Sequence, residues 1–240
     1  MTCHSVLKLL GRIAAAQSID ETWSVATSHF ATLGLGRAHY GFTRFRHLRT
    51  IGDPDDALFL STCDADQARR WFESGLSGRM PVFRWGGSGI CAWKAADAPE
   101  IHEDLRAGIS ISFPEASSRA RGALGLSADH DDVERIFAAR RDEIIAVAHM
   151  MHLRIVQLPQ LTRTRALSPR QREALEWVAD GKTTQDVALL MGVSPAMVEK
   201  HLRLARDALA VETTAQAVAK GALLNMIFQQ FPEHRIQAAS

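Results

Sequence analysis

Four charged residues, Glu199, Lys200, Arg203 and Arg206, fall on one side of a short predicted helix near the C-terminus. Val198, Leu202, Ala205 and Leu209 on that helix follow i, i+4, i+7, i+11 spacing, so they pack inward and leave the charged set on the opposite face. A helix fits a major groove roughly 12 Å wide, where Lys and Arg reach phosphates or guanine edges and Glu accepts from a cytosine amino group. Ordinary surface charges on a solvated helix give the same pattern, and periodicity alone does not separate the two readings. Bulk charge does not help either: the net charge is +1, and residues 160–240 hold ten Lys/Arg against eight Asp/Glu.

Other reactive residues lack partners. His149 and His152, at i, i+3, have no nearby carboxylate motif for a metal site. Ser88 in GGSGIC is an incomplete nucleophile elbow with no ordered His or Asp to activate it. Catalysis is therefore not expected, nor is a metal or a cofactor. Cys3, Cys63 and Cys91 are odd in number and widely spaced, which fits neither a disulfide framework nor a zinc cluster and points to a reducing cytoplasm. Lys8, Arg12 and Gln17 interrupt the N-terminal apolar stretch, so it reads as an amphipathic helix; no run reaches the roughly 20 apolar residues of a membrane span, and no membrane association is expected.

The elements around the charged helix are strongly punctuated. Ser168 with Pro169 opens a helix carrying Ala174, Leu175 and Val178, which Gly181 ends. Thr184 is expected to cap a second, TQDVALLMG, with Val187, Leu190 and Met191 inward and Gly192 as breaker. Ser194 and Pro195 launch the third after a turn of about three residues, which is the helix-turn-helix arrangement. Upstream, the polar, basic PQLTRTRALSPR separates this block from the rest. The expected division is a domain over 1–158, a linker over 159–166 and a domain over 167–240.

The N-terminal half opens with two helical patterns: Val6, Leu9, Leu10 and Ile13, then Trp23, Ala26, Phe30 and Leu33. RAHYGFTRF and ALFLSTC read as strands around the turn residues DPDD, and Asp64 caps a helix predicted over 66–76. RMPVFRWGGSGICAW is the least regular part. AGISISF and RGALGLSA read as strands, and DDVERIFAARRDEIIAVAHMMHLRIVQL as one long helix. The fold class expected is α+β: an α/β/α sandwich followed by an all-α four-helix domain. Tyr40, Trp71, Phe83, Trp85 and Trp93 supply apolar walls, and Tyr40, Ser110 and Ser112 supply hydroxyls, a mixture that suits an amphiphile with a polar head; taken singly, each aromatic is better explained as core. Ser110 and Ser112 share a sheet face, either a pocket face or a helix-covered one.

The segment LSPRQREALEWVADGKTTQDVALLMGVSPAMVEKHLRLARDALAVETTAQAVAKGALL resembles the four-helix DNA-binding domain of LuxR-type regulators over its whole length. The likeness includes the Ser-Pro-Arg-x-Arg-Glu start, the Gly-Lys pair, Val198 with His201 and Leu202, and Thr214, Gln216 and Ala217 opening the last helix. It implies contacts to duplex DNA from Lys182, Thr183, Thr184, Glu199, Lys200, Arg203 and Arg206, and dimerisation from Thr214 to Ile227.

Residues 1–158 resemble the acyl-homoserine-lactone-binding domain of the quorum-sensing members, through element order, Trp71, PVFRW, Trp93 and the two strands. That resemblance implies a homodimer, also joined through the N-terminal domain, controlled by a small-molecule signal that touches Trp71, Pro81 and Trp93; the residue types above add Tyr40, Trp85, Ser110 and Ser112 to the candidate contacts. Met80 stands where the family carries an aspartate that accepts from the ligand amide, and losing a charged hydrogen bond costs about 1.5–3 kcal/mol unless replaced. An orphan regulator under a different ligand, a protein partner or no ligand is thus the alternative. A phosphorylation-controlled receiver would need strand-helix alternation and clustered strand-end aspartates, and neither is present.

Overall fold

The computed structural model describes residues 3–44, 57–63, 89–94, 107–113, 120–159 and 166–228, which form two units, Met1–Leu158 and Pro159–Ser240. The described residues contain seven helices and a five-stranded antiparallel sheet, an α+β fold. The helix expected over 66–76, the DPDD turn, Phe45, Met80 and the ligand candidates Trp71, Pro81, Phe83 and Trp85 lie outside the described residues.

In the first unit, α1 (Cys3–Ala15) and α2 (Ile19–Thr32) form a helical pair. Ser18 Oγ caps α2 by accepting from Glu21 N at 3.1 Å, and Asp20 and Glu21 complement the positive end of the helix dipole. Five strands follow: β1 (Arg37–Thr43), β2 (Leu58–Ser61), β3 (Gly89–Lys94), β4 (Ala107–Phe113) and β5 (Arg121–Ala128), in the order β2-β1-β5-β4-β3. α3 (Val133–Gln157) closes the unit and departs from helical dihedrals at Arg140 (φ −129°, ψ 18°).

Strand periodicity of two assigns each residue to a face, and the register joins the strands into rows. Tyr40, Leu124 and Ile111 make one row; Ala38, Leu126 and Ile109 make the next. This inner face packs with Leu9, Ile13, Ala26 and Phe30 of the helical pair and Ile144, Val147, Met151 and Ile155 of α3 to form the core. The outer face carries the row Trp93, Gly108, Ser127 and Arg37, and beside it Cys91, Ser110, Gly125, His39 and Ser61. β3 corrects the reading of GICAW as irregular. Among the described residues it is a short edge strand paired only with β4, so glycine and local sequence obscure a pairing that comes from its neighbour.

The second unit consists of α4 (Pro169–Ala179), α5 (Thr184–Met191), α6 (Pro195–Leu209) and α7 (Thr214–Leu223). Ser168 with Gln171, Thr183 with Asp186, and Thr213 with Gln216 make reciprocal capping boxes, and Ser194 caps α6. Gly181 and Gly192, at φ 81° and 67°, adopt the left-handed conformation needed to reverse the chain after α4 and α5. Two expectations need correcting. Thr183, not Thr184, caps α5, because its side chain accepts from Asp186 N three residues on. Leu190 is 50% exposed, and the buried stripe is Val187, Ala188 and Met191, so the turn that carries Ala188 faces the core rather than the one that carries Leu190.

Candidate functional site

Each unit carries one candidate surface. On α6, Val198, Leu202, Ala205 and Leu209 are all buried, while Glu199, Lys200 and Arg203 are exposed. Pro195 at the first turn and Ser194 accepting from Met197 N fix where the helix begins, and hence the phase of that exposed face. Thr184 Oγ1, at the start of α5, donates to Glu199 Oε1 at 2.9 Å, so the two helices are pinned to each other at the exposed end. Lys182 and Lys200 have no ion pair among the described residues, and Arg203 reaches Asp207 at only 3.8 Å, a separation of little energetic weight at the surface. Arg206 differs from its expected place: it is half-buried, and its Nη1 donates to Thr214 Oγ1 at 2.9 Å, tying α6 to the start of α7. Thr183 accepts from Asp186 N and gives its own N–H and hydroxyl to the Asp186 carboxylate. Those bonds, with Lys182 nearby, hold the Asp186 carboxyl below its ordinary range.

On the first unit, the outer sheet face brings Trp93, Ser110 and Ser112 together. Trp93 Nε1 donates to Ser110 Oγ at 3.0 Å, and both residues are buried. The indole comes up against Gly108: a Cβ there would be 2.3 Å from Trp93 Cζ2 and 2.6 Å from Leu126 O, so only glycine permits this approach. Gly125, Ala123 and Gly41 continue the small-residue floor across β5 and β1. Ser127, which the sequence reading did not select, has a buried Oγ with no hydrogen-bond partner among the described residues, an arrangement that costs about 1–3 kcal/mol unless something else bonds to it. Further along the face, His39 Nδ1 pairs with Ser61 Oγ at 3.1 Å, and burial followed by the Arg37 charge lowers the imidazole pKa. Burial also raises the Cys91 thiol pKa.

Tyr40 does not join this group. Its partner on β5 is Leu124, so it points to the inner face, where its hydroxyl bonds His152 Nδ1 at 2.8 Å and its ring meets Trp23, Phe113 and His152. It is a core residue, and its placement beside Ser110 is corrected by the register.

The chain's similarities agree with this two-part arrangement. The autoinducer binding domain family matches residues 18–155, more than half of the chain, and the sigma-70 region 4 family matches residues 155–209, which include α4, α5 and α6. The chain belongs to the LuxR-type quorum-sensing transcriptional regulators. The transcriptional activator SolR of Ralstonia nicotianae is 26% identical to this regulator over 226 residues, covering 88% of it and 94% of SolR. AnoR of Acinetobacter nosocomialis, also a transcriptional activator, is 24% identical over 238 residues, covering 91% and 97%. A crystal structure of Escherichia coli SdiA shares the fold, with a TM-score of 0.53 at 17% identity, covering 94% of the regulator and 99% of SdiA. In this LuxR-type regulator the autoinducer-binding domain therefore contains the outer sheet face of Trp93, Ser110 and Ser127, and the helix-turn-helix is α5 and α6.

Proposed function

We propose that this regulator binds an acyl-homoserine lactone on the outer face of its sheet and, as a cytoplasmic homodimer, places α6 in the major groove of a two-fold-related DNA site. The observation that carries the DNA reading is the division of α6 into a fully buried apolar stripe and an exposed face with Glu199, Lys200 and Arg203. Lys200 and Arg203 reach phosphates or guanine edges, Glu199, oriented by Thr184, accepts from a base amino group, and Lys182 with Thr183 contacts the flanking backbone. Arg206 acts behind them by holding α7 against α6. The dimer joins through the N-terminal unit and the stretch from Thr214 to Ile227, and two-fold symmetry sets half-sites about one helical turn apart.

The lactone reading draws on the buried outer face, where Trp93 offers an aromatic wall and Ser127 Oγ an unused polar partner. A hydroxyl there takes up part of the role that Met80 leaves vacant. Trp71, Pro81 and Trp85 complete the set of proposed contacts. SdiA, for its part, has been crystallised with octanoyl-rac-glycerol, an acyl chain on a small polar head.

The test is selection of sites from a random duplex library by the full chain, with and without lactones of graded acyl length, beside thermal unfolding of the same samples. The expected result is a palindromic consensus, and with a matching lactone at a hundredfold its Kd a stabilisation of about 2.7 kcal/mol, or about 5–10 °C. No enriched sequence overturns the DNA reading; an enriched sequence with no lactone effect on melting or affinity overturns the lactone reading alone.

A further inference from the structure

A second recess lies in the N-terminal unit, away from the sheet's outer face. It is a groove of about 510 Å³ between α1 and α2, within the roughly 300–1,000 Å³ range of small-molecule sites. Lys8 and Arg12, one turn apart on α1, form one wall; Ser24 and Ser28, one turn apart on α2, form the other. Buried Leu9 and His29 with half-buried Val25 make the floor, and His29 Nε2 lies 3.0 Å from Glu143 Oε1 of α3.

No carboxylate lines this groove, and neither Lys8 nor Arg12 has an ion pair among the described residues. The rest of the unit behaves differently. Lys94 pairs with Glu134, Arg135 with Asp132, Arg140 with Glu143 and Arg141 with Asp142, while Arg154 donates to Ala16 O. Two like charges one turn apart repel and weaken their own helix, a cost that a bound anion removes. Lys and Arg above an apolar floor, facing two hydroxyls, match a molecule with an anionic end and a flat or apolar remainder.

We infer that the groove between α1 and α2 is a binding site for a small organic phosphate, with the phosphate between Lys8, Arg12, Ser24 and Ser28 and the ring moiety on Leu9, Val25 and His29. The site is separate from the lactone face and needs neither DNA nor lactone. The probe is AMP, titrated into the full chain by isothermal calorimetry, with inorganic phosphate and adenosine as half-ligands. AMP is expected to bind at least tenfold more tightly than either half. The double variant Lys8→Ala with Arg12→Ala is expected to weaken AMP at least tenfold with an unchanged far-UV circular dichroism spectrum. Lys200→Ala with Arg203→Ala, which alters the other cationic surface, leaves AMP binding as it was. Undiminished AMP binding by the Lys8/Arg12 variant, loss of binding in the Lys200/Arg203 variant, or AMP no tighter than inorganic phosphate each overturns the proposal.

Discussion

Replacing Gly108 with alanine tests whether the outer sheet face is assembled as described. The new Cβ would meet Trp93 Cζ2 at 2.3 Å, Trp93 Cε2 at 2.6 Å and Leu126 O at 2.6 Å. Leu126 O belongs to the β4–β5 pairing and cannot retreat without breaking the ladder, so the indole must lift. Lifting it separates Trp93 Nε1 from Ser110 Oγ, now 3.0 Å apart, inside a region where neither group meets water. Overpacking costs about 1–3 kcal/mol and the orphaned buried groups about 1–3 kcal/mol more; with some relaxation the sum is about 2–5 kcal/mol. For a unit of this size that is a fall of about 5–15 °C in Tm. Ser110→Ala serves as the control, since it removes the bond without the clash and is expected to cost about 1–2 kcal/mol. Urea unfolding followed by circular dichroism measures both variants, and lactone titration of the folded proteins measures the consequence for binding. A Gly108→Ala protein within about 0.5 kcal/mol of the parent, or no less stable than Ser110→Ala, would refute the packing of Trp93 on β4.

Three further outcomes follow from the described contacts. Ala210 ends α6 at φ 52°, ψ 52°, a left-handed conformation that disfavours a Cβ, so Ala210→Gly is expected to stabilise the DNA-binding unit by about 0.5–1 kcal/mol in chemical denaturation. His39 has a pKa below its ordinary 6.5, so its unfolded form takes up a proton first as pH falls; stability is complete above about pH 6.5 and declines through the lowered value, and His39→Gln is expected to flatten the urea midpoint between about pH 7.5 and about pH 5.5. Thr184→Val removes the donor that orients Glu199 while keeping the side chain's shape; a stability change below about 1 kcal/mol with a relaxed preference at one base position is expected from site selection on the variant.

The second unit was legible because its signals are local. Ser168, Ser194, Pro195, Gly181 and Gly192 bracket three helices, and one 3.6-residue period on α6 picked out the four residues that the structure buries. Its errors were local too: Thr183 and Thr184 are adjacent candidates for one cap, and a leucine at 190 outranks an alanine at 188 by hydrophobicity although the helix turns the alanine inward. The bond from Arg206 to Thr214 was not legible for a different reason, since Thr214 belongs to the next helix and the contact is tertiary. The sheet was harder still. Alternation shows that Ser110 and Ser112 share a face, but only the pairing of β1 with β5 puts Tyr40 on the opposite one, and that register is set by residues more than 80 positions away. Ser127 and Gly108 carry no sequence signal as single residues, because the role of one rests on a missing partner and that of the other on an indole crossing from β3.

The salt dependence of DNA binding reports whether the exposed face of α6 meets phosphates. With a selected duplex site, the affinity of the parent and of the Lys200→Ala, Arg203→Ala double variant is measured across a series of salt concentrations. A loss of at least about thirtyfold at fixed salt is expected, with a log–log slope shallower by about 1–2, because each phosphate contact removed contributes roughly 0.9. Equal affinity and equal slope, in a variant with the parent's Tm, would contradict those contacts.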